Sequence, residues 1–333
     1  MTIPTTMKKQ TLILLLSLSG RLAANAQVQL PAETKAQDLY FVSDTQQPML
    51  AERLFLKSNH NLKATADIFA AILKEKPASL FMLGDVVGLG FANRKWKKVD
   101  RFLDSCRKEG TGVCGVLGNH EVMGRSKKGE KNFQKRFPMN VRTGYFSVTD
   151  SVAVILLNSN FSTLSVADEV KQRGWYKATL ATLDATDSVK AIIVCCHHAP
   201  FTNSRIVKCS NKVQENFVAD YIQSKKAQLF ITGHAHAFEH FKIKGKDFLV
   251  IGGGGGLHQP LGNTDKSLTD LAVDYKPMFH YLSVKRVADN LFVTSHFLKT
   301  DFTGFDTGVS FNTTLPANNI ASIKAEPVTN KTN

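Results

Sequence analysis

The hydrophobic positions of this chain fall into short runs that stop abruptly on polar residues. Residues 39–42 stop at Ser43-Asp44-Thr45-Gln46, and 79–83 at Gly84-Asp85. Residues 113–117 stop at Gly118-Asn119-His120-Glu121, 191–196 at His197-His198-Ala199-Pro200, and 229–231 at Thr232-Gly233-His234-Ala235-His236. Apolar runs of this length with such boundaries read as buried strands. Between the first three lie helical stretches. In 64–76, Ile68, Phe69, Ile72 and Leu73 share one face and Pro77 closes the helix; 94–108 is strongly basic. Strand, helix, strand, helix, strand predicts a βαβ sheet. From Tyr145 the pattern changes. Runs 145–148 and 152–157, separated by Thr149-Asp150-Ser151, signal a hairpin. A helix bearing Trp175, Leu180 and Leu183 follows, then a helix over 213–224 and strands over 238–243, 248–251, 278–287 and 291–298. Beyond 312 the chain turns polar and reads as a mobile tail.

The first 26 residues stand apart. Lys8 and Lys9 precede an apolar run over 12–18, and Ala24-Asn25-Ala26 follows, which is the layout of a cleaved export signal. The run is too short to span a bilayer. The expected mature domain covers 27–311, with a flexible tail over 312–333 and no transmembrane segment. Export to the periplasm or the exterior is expected. The whole chain carries +14; losing Lys8, Lys9 and Arg21 with no acid leaves +11, a charge that draws in anionic ligands. The five cysteines leave pairing open: Cys106 with Cys114, or Cys209 with another, could join. Cys195 and Cys196 are adjacent, so they face opposite sides of their strand and read as buried thiols.

Chemistry gathers where the strands end. Carboxyl ends of strands in α/β sheets are where ligands sit. The five ends carry Asp44 and Gln46, Asp85, Asn119 and His120, His198, and His234 and His236. These are oxygen and imidazole donors without thiolate, which suits Mn, Fe, Zn or Co and disfavours a cysteine-zinc site. The sequence leaves His197 and His198 interchangeable.

The ordered set Asp-x-Gln, Gly-Asp, Gly-Asn-His-Glu, His-x-Pro and Gly-His-x-His resembles the calcineurin-like metallophosphoesterase superfamily over 38 to about 300. The segment 233–239 and Gln172-Arg173-Gly174-Trp175 resemble its purple acid phosphatase branch. The resemblance implies a four-layer αββα sandwich of two mixed β-sheets flanked by helices. It implies two divalent or trivalent metal ions (Fe, Mn or Zn) bridged by Asp85. One would also take Asp44, Gln46 and His236, the other Asn119, His198 and His234. His-x-Pro spacing selects His198 over His197. His120 would be an unligated catalytic imidazole. Two positions depart from the pattern. Gln46 stands where the family has histidine, and a neutral amide is a weaker ligand. Gly88 stands where purple acid phosphatases place a metal-binding tyrosine, so no charge-transfer colour is expected.

On this reading the protein is an exported phosphomonoesterase, acid phosphatase-like, acting on an anionic phosphate ester. Its nucleophile is a hydroxide held between metals about 3.5–4 Å apart, and His120 gives the leaving group its proton. The alternatives are a phosphodiesterase or nucleotidase of the same fold and a catalytically silent binding protein. The basic cluster Arg125, Lys127, Lys128, Lys131, Lys135 and Arg136 reads equally as a phosphate-steering patch or a solvated face. No aromatic interleaving marks a nucleic-acid track, and no stable nucleic-acid partner is expected. The glycines 252–256 read as a turn passing close to the site, with a phosphate-cradling nest as the alternative.

Overall fold

The computed structural model describes residues 38–49, 52–265 and 267–313. The expected export signal (1–26) and most of the expected tail (312–333) lie outside these. Twelve strands and six helical segments form the described fold: β1 (Leu39–Val42), α1 (Asn61–Glu75), β2 (Ser79–Met82), α2 (Asn93–Lys108), β3 (Gly112–Gly115), α3 (Asn119–Val122) and α4 (Ser126–Gln134). Next come β4 (Tyr145–Thr149), β5 (Val152–Leu156), α5 (Val166–Ala185), β6 (Ala191–Cys195) and α6, which runs through Asn211–Val213, a π-helical turn Gln214–Val218 and Ala219–Gln223. The remaining strands are β7 (Ala227–Thr232), β8 (Phe238–Ile243), β9 (Lys246–Ile251), β10 (His280–Val287), β11 (Asn290–Leu298) and β12 (Phe305–Asn312).

They build two six-stranded sheets, ordered β12-β11-β10-β1-β2-β3 and β4-β5-β6-β7-β9-β8. β1, β2 and β3 run parallel, as the alternation predicted, with Tyr40 opposite Leu80 and Leu80 opposite Val113. β5, β6, β7 and β9 form the parallel heart of the second sheet. Alternation along each strand sorts side chains into layers. Leu39, Phe41, Phe81, Ile193, Cys195 and Ile231 pack between the sheets. Tyr40, Val42, Leu80 and Met82 point the other way, under α1 and α2 with Ile68, Trp96 and Phe102. Ile192, Val194 and Cys196 lie beneath α5 and α6 with Tyr176, Leu180 and Phe217. The result is helix, sheet, sheet, helix. Cys195 and Cys196 fall on opposite faces as expected, and all five cysteines are free thiols.

Sequence and structure differ at the edges. The third strand ends at Gly115 rather than 117: Val116 N still donates to Met82 O at 3.0 Å, and from Leu117 the chain turns toward the site. β12 was not foreseen. Phe305, Val309 and Phe311 alternate with polar residues and pack partly against the core, so the period-2 signal of an edge strand was present and passed over; paired with β11, it extends the ordered fold to the start of the expected tail.

Candidate metal centre

The functional side chains hang from the carboxyl ends of five neighbouring strands. β1, β2 and β3 present Asp44 and Gln46, Asp85, and Asn119 with His120; β6 and β7 present His197 with His198, and His234 with His236. Asp44, Asp85 and His234 have φ of 60°, 48° and 67°, a left-handed backbone unusual for residues with a Cβ. These turns swing each side chain off its strand and into the gap between the sheets. Gly118 is glycine for a reason other than a left-handed backbone. Its φ is −92°, but a Cβ there would lie 2.2 Å from the amide nitrogen and Oδ1 of Asp85. The need is close approach.

Two groups of donors result, each with atoms within 4.8 Å of one another: Asp44, Asp85 and His197, and His197, His198 and His234. His197 is fully buried. Its Nε2 lies 3.2 Å from Asp85 Oδ2 and 3.1 Å from Asn119 Oδ1, and its Nδ1–H donates to Leu83 O at 2.8 Å. His198 turns its Nδ1 to Ser159 Oγ at 2.8 Å, and its ring centroid stands 4.5 Å from that of His234. Both rings of the adjacent pair therefore reach the cluster, His198 beside His234 and His197 between Asp85 and Asn119. At the other end, His236 Nε2 lies 3.3 Å from Asp44 Oδ1, and its Nδ1–H donates to Leu257 O at 2.7 Å. With its nitrogen on the carbonyls of Asp44 (3.0 Å) and Asp85 (2.9 Å), the Gln46 amide aims its oxygen at His236 Nε2, 3.2 Å away.

The surrounding shell fixes these groups. Glu121 is fully buried, and its carboxylate accepts from four amides: Asp85 N (2.8 Å), Gly118 N (2.8 Å), Val86 N (2.9 Å) and Val87 N (3.1 Å). One side chain thereby sets the loop that carries Asp85 and the approach of Gly118. Gln172 clamps Asn158 through its N–H and C=O, both at 2.9 Å, steadying the loop whose Ser159 holds His198. The glycine run is a close-passing turn. Gly254 N and Gly256 N donate to Ser43 O and Asp44 O, both at 2.9 Å, so those amides are occupied rather than free for phosphate. His120 stands at the rim, 6% exposed. Its Nδ1–H donates to Gly88 O at 3.1 Å, and its Nε2 faces Asp85 Oδ2 at 3.8 Å and Glu52 Oε1 at 3.9 Å. Within the basic cluster, Arg136 is already paired to Asp100 at 2.5 Å.

Burial opposes charge on Asp85, but the imidazoles of His197 and His120 hold its carboxyl well below the usual range. Burial likewise opposes charge on His197, yet the Asp85 and Asp44 carboxylates and the Leu83 carbonyl push it up to about 10. Burial and the neighbouring His197 drive His234 down to about 4 and His198 well below its ordinary value. Those two rings are neutral near pH 7, the state in which imidazole binds metal. Burial and the charge of Asp85 push Glu121 up to about 7 against its amide donors.

The residues fit a pair of metal ions. Asp44 Oδ1 is buried without a well-aligned hydrogen bond, although an imidazole nitrogen sits beside it. His197, His198 and His236 each anchor one nitrogen on a carbonyl or hydroxyl and leave the other facing the cluster, as metal-ligating imidazoles do. Sequence reasoning gave no part to Glu52 or Ser159. Ser159 follows the end of β5 within Asn158-Ser159-Asn160, so the strand-end rule applied once more would have found it. Glu52 lies in a short 3-10 turn with no such signal.

Comparison with known proteins agrees. The sequence profile described as calcineurin-like phosphoesterase matches residues 38–238. No curated protein matches the chain in sequence. Among solved structures, a purple acid phosphatase from yellow lupin seeds superposes with a TM-score of 0.61 at 14% identity, over 85% of this chain and 54% of that one. The chain thus spans about half the length of the lupin protein. GAP50, described as the anchor in the inner membrane complex of Plasmodium, gives 0.64 at 13% identity, covering 85% and 90%. A dimetal phosphatase from Danio rerio gives 0.50 at 14%, covering 84% and 99%. With the profile spanning more than half its length and the ligand-bearing strand ends meeting at one cleft, the chain belongs to the calcineurin-like phosphoesterase family.

Proposed function

We propose that the protein is an exported phosphomonoesterase. The observation that carries this reading is the position of His120: at the rim of a complete donor set, with its Nε2 directed toward the Asp85 side of the centre. Asp44, Gln46, Asp85, Asn119, His198, His234 and His236 would hold two ions, with His197 packed against Asp85. When bound, the ions supply Lewis acidity and a nucleophile at neutral pH. The protein does the rest. Gly88 O orients His120 so that Nε2 can pass a proton to the departing alkoxide. A cavity of about 360 Å³ opens beside Asn119 and His198, with Phe161, Met123, Ser210 and Lys212 on its walls. That space suits the alcohol portion of one small ester; Lys212 on its wall is paired with Glu169 at 3.3 Å.

Hydrolysis of a phosphodiester or a nucleotide is the nearest alternative. A silent scaffold is the alternative of another class, favoured only by the likeness to GAP50 and opposed by the intact donor set. Chelated protein is assayed on an aryl phosphomonoester and an aryl phosphodiester, before and after adding Mn, Zn or Fe. Metal-restored turnover on the monoester, at least about tenfold above the diester, is expected. Preference for the diester would assign the alternative, and turnover on neither would assign the scaffold. N-terminal sequencing of the exported protein should begin at Gln27.

A further inference from the structure

On the outer face of the first sheet, α1 and α2 meet through Phe69 stacked on Phe102, ring centroids 3.8 Å apart, and leave an open trough along that contact. Between them lies a cavity of about 350 Å³, walled by Leu62, Ala66, Ala70, Val99 and Phe102 and ending inward at Val87. Leu62, Ala66 and Ala70 are exposed, so α1 leaves an apolar strip uncovered. Lys95, Lys98 and Arg101 line the same cavity from α2, three residues apart and therefore on one face. None of the three forms an ion pair among the described residues. The neighbouring acids are engaged elsewhere: Asp67 with Lys63 at 2.6 Å, Asp100 with Arg136 at 2.5 Å, and Asp104 with Arg107 at 3.5 Å.

An apolar trough with unneutralised cations along one lip matches a single-chain anionic amphiphile, its alkyl chain in the trough and its head against the lip. We propose that the groove between α1 and α2 binds a monomeric long-chain carboxylate of the fatty-acid type. Its volume falls among ligand-sized pockets. A bilayer surface fits less well, because the cations border one side only of the apolar strip. The inner end of the groove, at Thr45, Val87 and Gly88, backs onto the loops that carry the metal centre, while the apolar strip and the cations lie on α1 and α2.

The test is calorimetric titration of laurate, below its micellar concentration, into the metal-free full chain. Metal-free protein removes carboxylate binding to the ions as an explanation. One saturable site is expected. Decanoate, two methylenes shorter, should bind roughly tenfold more weakly, and dodecyltrimethylammonium weaker still. Ala70→Trp, or Ala66→Trp should the first fail to fold, fills the trough and should cost at least about tenfold. The pair Lys98→Glu and Arg101→Glu should cost as much while leaving metal loading unchanged. Lack of saturable binding, equal binding of the cationic homologue, or full affinity in the tryptophan variants would overturn the proposal. So would binding to phosphatidylglycerol vesicles without binding of free laurate, which would make the groove a membrane contact.

Discussion

The two sheets divide the metal chemistry between them. The first, through β1, β2 and β3, contributes the oxygen donors Asp44, Gln46, Asp85 and Asn119; the second, through β6 and β7, contributes the imidazoles His197, His198, His234 and His236. Neither sheet has a usable site alone. The contacts between them, His197 to Asp85 and Asn119 and His236 to Asp44, are the seam of the sandwich at its ligand end. Hydrophobic packing between the sheets, with Phe41, Phe81, Ile193 and Ile231, thus brings the oxygen half and the nitrogen half together.

The largest effect should come from the first sheet's central oxygen. Asp85→Asn removes the charge that both ions would share. It is expected to empty both positions and cut turnover by more than the about 100-fold typical of losing an outer partner; elemental analysis with steady-state kinetics checks it. His120→Ala should lower kcat by about 10²- to 10⁴-fold with metal content intact. Wild-type turnover in that variant would remove His120 from the mechanism. Glu121→Gln puts an amide nitrogen against backbone N–H groups that now meet carboxylate. About 2 kcal/mol of destabilisation is expected, read by denaturant unfolding, with weaker metal binding because the Asp85 loop loosens.

A pH series sharpens the division further. In the metal-free protein His197 is raised from 6.5 to about 10. The stability it contributes is therefore complete below about 6.5 and is lost as pH climbs through about 10. Metal must displace that proton if it takes Nε2, so affinity measured by calorimetry at pH 6 and pH 8 should rise roughly tenfold per unit for each proton released. His198→Ala and His197→Ala, compared in the same assay, show which ring of the pair is the ligand. The smallest change is Gln46→His, which gives the oxygen sheet an imidazole and should tighten one ion a few-fold.

Most of the framework was legible because the strands announce themselves by abrupt apolar-to-polar boundaries, and the ligands stand at those boundaries. Asp44, Asp85 and His234 could be located without knowing how far apart their strands lie. One strand was legible and passed over: in β12, Phe305, Val309 and Phe311 alternate with polar residues. Other information was not local. The choice between His197 and His198 depends on which way β6 leaves the sheet: one ring is anchored on Leu83 O and set between Asp85 and Asn119, the other on Ser159 and set beside His234. Glu121 was visible as a residue, but its task of holding amides 34 to 36 positions away was not.

The left-handed backbone at residues 44, 85 and 234 has a consequence for any attempt to toughen the protein. Each such position works against folding by about 1–2 kcal/mol in a residue with a Cβ. Glycine at 44 or 85 would relieve that strain but leave His236 or His197 buried without its carboxylate and strip the acceptors of His234 N and His120 N, a larger loss than the relief. A screen that rewards heat resistance alone would therefore keep the strained carboxylates, and with them the means to grip an ion.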